Sequence, residues 1–314
     1  MGEIVDVDNF VRAETNRMFA GIAARAGGVN RWSHFLEPTP LDAQDVIRMN
    51  RDTLYSAVVV DATDGFAVTA PDAGDRYLSV MVIDQDHHVE EVLHHPGEHR
   101  FEPGSFATPY VAMAARTLMD PTDATDVAAA NAVQQGLGVV AGSARPFELP
   151  DYDQASFSAL REAVLALGAA NGGVGGRSFG RRGEVDPVRH LIGTAIGWGG
   201  LPESEAVYQS GAPEGLGRCT ITVGEVPVDA FWSISVYNAA GFFEPNAQDS
   251  YSVNSVTAER EPDGTVVVHL GDWPDGTPNA VPTTEGWNYV ARMYRPRPEV
   301  VDGSWTFPQP VAAN

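Results

Sequence analysis

Residues 50–60, 66–69 and 77–83 form three short runs dense in Val, Ile, Leu, Tyr and Phe, and Asp64-Gly65, Pro71-Asp72 and Gly74-Asp75 lie between them. Runs of this length bounded by such pairs read as strands that reverse direction at turns. Residues 106–117 continue the series. Several short strands at regular spacing predict an antiparallel sandwich rather than a parallel sheet. The pattern returns after Cys219. Residues 219–223 are strand-like, and 231–237 alternate ring and hydroxyl as a half-buried strand does. Asp263-Gly264 is expected to join 256–260 to 265–270 as a hairpin. Residues 287–294 form the last strong strand, broken by Arg295-Pro296-Arg297-Pro298.

Helical spacing is confined to two regions. In 7–26, Val11, Thr15, Met18, Phe19 and Ile22 recur at three- and four-residue steps up to Gly27-Gly28. In the middle, an Ala-rich stretch spans 122–135. A second helix opens at Pro150 and Asp151, carries Phe157, Leu160, Val164 and Leu167, and ends in a flexible loop, Gly172 to Gly176. The expected organisation is a mainly β chain in three parts. Residues 1–119 form a β-sandwich with a leading helix, 120–200 a helical insert and linker, and 201–314 a second β-sandwich.

Charge narrows the partners. The 314 residues carry 42 Asp and Glu against 20 basic residues, all of them Arg, for a net charge of -22. A polyanionic surface repels phosphate backbones and anionic lipid, so neither nucleic acid nor membrane is an expected partner. Without lysine there is no Schiff base and no pyridoxal-phosphate anchor. The Gly-rich 173–180 has no following Lys-Ser/Thr and no preceding strand, so no nucleotide cofactor is expected. No G-x-S-x-G elbow and no H-E-x-x-H are present. The single cysteine, Cys219, allows no disulfide within the chain and reads as a small buried hydrophobe. The first ten residues have no basic n-region and no apolar stretch is long enough for a membrane span, so a cytoplasmic location is expected.

Longer motifs carry a resemblance. Asn50-Arg51-Asp52-Thr53-Leu54-Tyr55-Ser56 resembles the opening motif of the DUF1254 region. Val185-Asp186-Pro187, with His190 to Ala195 and Gly197-Trp198-Gly199-Gly200, resembles its linker to the next domain. Phe231 to Asn238, Tyr251-Ser252-Val253-Asn254, Gly286-Trp287-Asn288-Tyr289 and Arg292 to Arg297 resemble the core of DUF1214, and Trp305 with Phe307-Pro308 its closing segment. The likeness runs from about residue 30 to residue 311. It implies two tandem jelly-roll-like β-sandwiches, similar to the double jelly rolls of some viral capsid proteins. It implies little about activity; some relatives carry the label carboxylesterase.

Three constellations bear chemistry. The first is the run Asp84 to Glu91. If the strand 77–83 continues in extended form, Asp84, Asp86 and His88 project from one face. Two carboxylates and an imidazole suit a divalent ion such as Mn, Fe, Ni or Zn, and His190 could complete the set. The bland alternative is a strand that runs out into an acidic turn. His94, His95 and His99, broken by Pro96-Gly97, read as surface imidazoles. The second is Arg51-Asp52 beside Tyr55, expected as a buried ion pair, with Arg51 able to hold a carboxylate in its fork. The third is Ser233, Ser235, Tyr237, Asn238, Asn254, Asn288 and Arg292. Alternation puts Ser233, Ser235 and Tyr237 on one face and Trp232 and Asn238 on the other, and lets Asn288 and Arg292 share a face. This set either satisfies buried backbone or lines a polar pocket walled by Trp198, Trp232 and Trp287.

The expected chemistry is hydrolysis of a small organic ester, amide or related bond, with the water activated by one divalent ion on Asp84, Asp86, His88 and His190. Catalytic roles fall to Arg51, Asp52, His88, Tyr237 and Asn288. Substrate contacts fall to Tyr55, Trp198, Trp232, Asn254 and Arg292. The rival expectation is a non-catalytic jelly-roll module for binding or assembly that forms homo-oligomers.

Overall fold

The computed structural model describes residues 2–42, 44, 47–171, 173–213 and 217–313. Two compact units emerge. The first comprises Met1–Leu36, Tyr55–Leu118 and Ala128–Glu203; the second comprises Glu37–Leu54, Met119–Val127 and Ser204–Asn314. The helical residues expected as a separate insert therefore cluster mostly with the N-terminal sandwich. The segment that carries Asn50-Arg51-Asp52 clusters with the C-terminal one. Gly172, expected in a flexible loop, lies outside the described residues.

In chain order the elements up to the last long helix are α1 (Phe10–Ala26), β1 (Ser33–His34), β2 (Thr53–Asp61), β3 (Phe66–Ala70), β4 (Leu78–Asp84), β5 (Val89–Leu93), β6 (Gly97–Phe101), β7 (Tyr110–Leu118), α2 (Ala124–Gln135), β8 (Gly138–Ala141), α3 (Gln154–Ala170) and α4 (Pro187–Gly197). The first unit stacks a five-stranded sheet, β1-β2-β7-β4-β5, on a three-stranded one, β6-β3-β8. Val58 and Val60, Val80 and Val82, and Val111, Met113 and Ala115 face Phe66, Val68 and Leu137 across this sandwich. The other face of the large sheet is also covered. Val59 and Ala112 pack under Phe19, Ile22 and Ala23 of α1, and α1 packs with α3 and α4 through Phe10, Ala13, Phe157, Val164 and Ile192. Double coverage explains why β4 reads as one apolar run and is buried at every position. The helix starts follow capping chemistry: Asp153 accepts from Ser156 N ahead of α3, and Asp186 accepts from Val188 N and Arg189 N ahead of α4, whose first residue is Pro187. Gly27, at φ 73°, ends α1 in the left-handed conformation its sequence position predicts.

The second unit continues with β9 (Ala206–Gly211), β10 (Cys219–Val223), β11 (Trp232–Tyr237), β12 (Ser252–Asn254), β13 (Val266–Leu270), β14 (Ala280–Val281), β15 (Asn288–Tyr294), α5 (Pro298–Val301) and β16 (Val311–Ala312). Two four-stranded sheets, β14-β13-β10-β16 and β12-β11-β15-β9, form the sandwich. Its core interdigitates Ile221, Val223, Val266 and Val268 with Trp232, Ile234, Tyr289, Ala291 and Met293, and it encloses Cys219 as a small hydrophobe. The hairpin expected from 256–260 to 265–270 does not form. Asp263-Gly264 is a turn, closed by Glu261 N donating to Thr265 O at 2.8 Å. Residues 255–258 instead fold into turns because Asn254 Oδ1 accepts from Val256 N and Thr257 N, a side-chain acceptor competing with the sheet ladder. β13 pairs with β10 and β14 instead. The protein is mainly β, two tandem jelly-roll-like sandwiches with an N-terminal helix and further helices. Among the described residues no helix is long and apolar enough to cross a membrane.

Asp61, at the end of β2, ties the first sandwich together. It accepts from Arg145 N, Nε and Nη2 and from Thr63 N. Burial pulls its carboxyl up, but the N–H groups and guanidinium outweigh burial and hold it down at about 2. An unfolded Asp titrates near ~3.9, so on acidification the unfolded state takes up the proton first. The contribution is full above roughly pH 4 and is lost as pH falls through the folded value. Asp61→Asn is expected to flatten the acid limb of stability, read as urea midpoints across that window. An unchanged slope in the variant would contradict this account of Asp61.

Candidate functional site

Strand β4 stops at Asp84, and the chain turns instead of continuing in extended form. His87 N donates to Asp84 O at 3.1 Å, Asp84 N donates to His88 O at 3.0 Å, and His87 sits at φ 62°. The expected extended strand through His88 is thus corrected to a tight turn linking β4 and β5. Asp84 Oδ1 accepts from Asp86 N and His88 N, both at 2.9 Å, which is the capping habit of Asp in turns. The three expected ligands still converge: one ligand atom each from Asp84, Asp86 and His88 lie within 4.8 Å of one another.

Two residues that look the other way hold the turn. Gln85 is buried; its Nε2 donates to Asn16 Oδ1 at 2.8 Å, its Oε1 accepts from Tyr110 N, and its main-chain N–H donates to Thr108 Oγ1. His87 is fully buried. Thr194 spends its hydroxyl proton on His190 O, so its oxygen receives His87 Nδ1–H at 2.8 Å, while Gly199 N–H donates to His87 Nε2 at 2.9 Å. The ring is therefore the neutral Nδ1–H tautomer. Burial first, then the neighbouring charges of His190 and His88, push its pKa far below the usual histidine range. The indole of Trp198 stacks on His87 at 5.4 Å, His190 stacks on its other neighbours His87 and His88 at 5.4 and 5.3 Å, and the imidazoles form a column.

His190 is thus brought against His88, but not as a ligand. Its Nδ1 faces Ser178 O at 2.8 Å and its Nε2 faces Asp86 O at 3.0 Å, so neither nitrogen is turned to the carboxylates. The expected fourth ligand is corrected to a brace between the turn and the loop before α4. Asp86 is engaged as well. Arg12 donates to its Oδ1 and Arg182 to its Oδ2. Asp84 Oδ2 and His88 Nδ1 differ: both atoms are buried, neither has a hydrogen-bond partner, and they stand 3.5 Å apart. Glu90, half-buried at the start of β5, has its carboxyl pushed up by burial and then by the charge of Asp84.

The remaining expected residues mostly lie in the second unit, on the face of the sheet β12-β11-β15-β9 opposite its apolar core. Alternation holds there as expected. Trp232, Ile234 and Val236 enter the core, and Ser233, Ser235 and Tyr237 point away from it beside Asn288 and Arg292. On this face lies the segment 48–54. Arg292 Nη2 donates to Arg48 O at 2.8 Å and to the Tyr237 oxygen at 2.7 Å, its Nη1 donates to Ser235 Oγ at 2.8 Å, and Tyr237 O–H donates to Met49 O at 2.7 Å. Asn288 Nδ2 donates to Asn238 O, and Asn254 caps its turn. These groups satisfy backbone, and two of the three tryptophans expected as an aromatic wall, Trp232 and Trp287, point away from them. Trp232 and Trp287 are core residues of the second unit, whereas Trp198 belongs to the first and donates to Thr15 Oγ1. The expected Arg51–Asp52 pair does not form either. Arg51 donates to Thr39 O and lies over the Tyr251 ring at 5.2 Å. Asp52 is fully buried, its carboxylate set among Ser233, Ser252 and Asn254. Burial pushes its carboxyl up, against the opposing charge of Arg292 and the polar groups of Ser233, Ser252 and Asn254. Tyr55 lies in the first unit, beneath the guanidinium of Arg116 at 5.5 Å. An open polar cleft of about 850 Å³ beside Trp273, Asp275 and Glu259 in the second unit is lined by none of the expected residues.

Residues 29–100, which include the turn, match the family model described as a protein of unknown function, DUF1254, and residues 212–298, which include Arg292, match DUF1214. The chain carries a DUF1254 and a DUF1214 region. No curated protein matches the sequence. Among solved structures, this DUF1254/DUF1214 chain is similar to the VPA0106 protein from Vibrio parahaemolyticus, at 15% identity and a TM-score of 0.74, over 98% of each chain. It is also similar to a putative uncharacterized protein from Burkholderia cenocepacia, at 15% identity and a TM-score of 0.53, over 97% of this chain and 86% of that one. Both likenesses concern the fold.

Sequence reasoning missed Arg12, Arg182, Gln85 and His87. Arg12 and Arg182 come from distant positions and no local pattern flags them. Gln85 and His87 lie inside the run that sequence reasoning singled out, but their burial comes from the turn geometry, which alternation does not describe. Arg292 is the central group of the second unit. Removing one partner from a buried charged network costs about 3–5 kcal/mol, so Arg292→Ala is expected to destabilise by that order in urea unfolding. Adding Asp52→Asn should recover part of the loss, because it removes the carboxylate left behind. Strict additivity of the two changes would deny any coupling between them.

Proposed function

We propose that the first unit binds one divalent cation at Asp84, Asp86 and His88, and that the protein uses it to hydrolyse a small ester, amide or related bond. The spacing of two donors carries this reading: Asp84 Oδ2 and His88 Nδ1, buried and without hydrogen bonds, are 3.5 Å apart. Two ligands each about 2.1 Å from a tetrahedral ion are separated by about 3.4 Å. The two atoms have only each other, at ion-pair distance and without a hydrogen bond, and a cation between them would give each a direct ligand bond. Asp86, on the more exposed side, is the third ligand. The mix of two carboxylates and one imidazole suits Mn, Fe, Ni or Zn.

An ion held this way supplies a water that ionises near neutral pH. The column of His87 and His190 with the buried Gln85 keeps the ligand turn rigid, which is what a binding constellation requires.

A second reading is a non-catalytic binding or assembly module that forms homo-oligomers. One observation favours it: Tyr237, Asn254, Asn288 and Arg292, expected to meet a substrate, are bonded to their own chain. Metal content separates the two readings. In untagged protein incubated with Mn, Ni or Zn and freed of excess ion, mass spectrometry is expected to find about one equivalent, lowered at least about tenfold by His88→Ala. Turnover of a panel of small esters and amides should fall with it. Metal at background in the parent protein would overturn the cation site. A concentration-independent oligomer in sedimentation would then favour assembly.

A further inference from the structure

Three arginines gather at this one turn, in a chain with no lysine and 42 acidic residues. Arg12 of α1 donates to Asp86 Oδ1 through Nε at 2.8 Å and Nη2 at 2.5 Å. Arg182, in the loop before α4, donates to Oδ2 through Nη2 at 3.0 Å. Its neighbour Arg181 donates through Nε to Glu90 O at 2.9 Å. The Asp86 carboxylate thus takes three charge-assisted bonds from two guanidiniums, an arrangement suited to receiving a planar or tetrahedral oxyanion. The cluster opens to solvent: the side chains of Asp86, Arg12 and Arg182 are 28%, 39% and 58% exposed. Asp84 is fully buried and held by main-chain N–H groups of its own turn.

These bonds set a conflict. A carboxylate gripped by two guanidiniums is a poor cation ligand, because the incoming ion must sit beside two positive charges and share their oxygens. An oxyanion from solution would resolve it: it would take the guanidiniums and free the Asp86 oxygens for the cation, so that every charge would keep an opposite partner.

We propose that Arg12 and Arg182 form the receptor for a carboxylate or phosphate-like group on the ligand, and that Asp86 is its internal stand-in. This rests on the cation site at Asp84 and His88. It assigns the substrate class as a small anion whose acidic group lies beside the bond or atom presented to the cation. It also makes cation and oxyanion bind with positive coupling, each tightening the other by the same factor.

The test titrates the full chain with Mn2+, reading free Mn2+ by electron paramagnetic resonance, alone and with acetate or methylphosphonate present. The two anions separate the carboxylate from the phosphate source. The expected result is that one of them tightens Mn2+ binding by about tenfold, within the usual range of such coupling. In the Arg12→Gln/Arg182→Gln variant, Mn2+ should bind more tightly than in the parent without anion, and the anion effect should vanish. In Asp86→Asn, where the stand-in no longer carries charge, methylphosphonate or acetate should raise the melting temperature of the metal-free protein, and in the parent it should not. Mn2+ binding that ignores both anions, or coupling that survives loss of both arginines, overturns the receptor and leaves the cation site standing. No Mn2+ binding under any condition overturns both.

Discussion

The five-stranded sheet of the first unit is buried on both faces, by the small sheet on one side and by α1 on the other. A polar side chain on such a sheet has no water to turn to, and each unpaired group costs free energy. This constraint organises the polar chemistry of the unit. Asp61 is bonded four times over, Gln85 spends its side-chain amide on Asn16 and Tyr110 and its main-chain N–H on Thr108, and His87 uses both ring nitrogens. At the end of β4, Asp84 Oδ2 and His88 Nδ1 have no hydrogen bond and face each other at ion-pair distance. Other buried polar atoms lack a hydrogen bond as well, Ser79 Oγ and Thr117 Oγ1 on the same sheet among them, but at the end of β4 a carboxylate oxygen and an imidazole nitrogen do so side by side.

The second unit meets the same constraint differently. One face of β12-β11-β15-β9 is apolar and packs into the sandwich, while the opposite face carries serines, Tyr237, Asn288 and Arg292. The polar face is filled by the chain itself. Segment 48–54 lies on it with carbonyls of Arg48 and Met49 bonded to Arg292 and Tyr237. A guanidinium with a rigid planar fork can bond several oxygens at fixed angles, so Arg292 reads as the fastener of that segment. Asp52, carried in on the same segment, supplies the opposing charge.

Much of this was legible beforehand. Short apolar runs bounded by turn pairs gave β2, β3 and β4, the runs 231–237 and 287–294 gave β11 and β15, and the face assignments of Ser233, Ser235 and Tyr237 followed from alternation. The grouping of Asp84, Asp86 and His88 was legible too, although for a different reason than strand geometry, since a turn built on Asp84 Oδ1 brings them together. Charge pairing was not legible. Arg51 and Asp52 adjoin in sequence yet find different partners, and Asp86 pairs with Arg12 and Arg182 from far along the chain. His190 stood in a long motif as a ligand candidate, but its nitrogens are spent on Ser178 and Asp86 carbonyls. Nothing in a linear pattern tells an imidazole that braces backbone from one that offers a lone pair.

The sequence by itself determined what depends on neighbours a few residues away: strands where side chains alternate, turns at Asp-Gly pairs, helices begun by Asp153 and Asp186 and stopped at Gly27. Such choices rest on local sterics and on hydrogen bonds to the next few N–H groups. Tertiary structure alone decided which charges meet and which polar atoms stay unpaired. It assigned residues 37–54 to the C-terminal sandwich and residues 128–203 to the N-terminal one. The physical reason is range: a charge or an acceptor takes whichever partner packing brings within about 3 Å, and that partner is fixed only when the sheets and helices have closed around it.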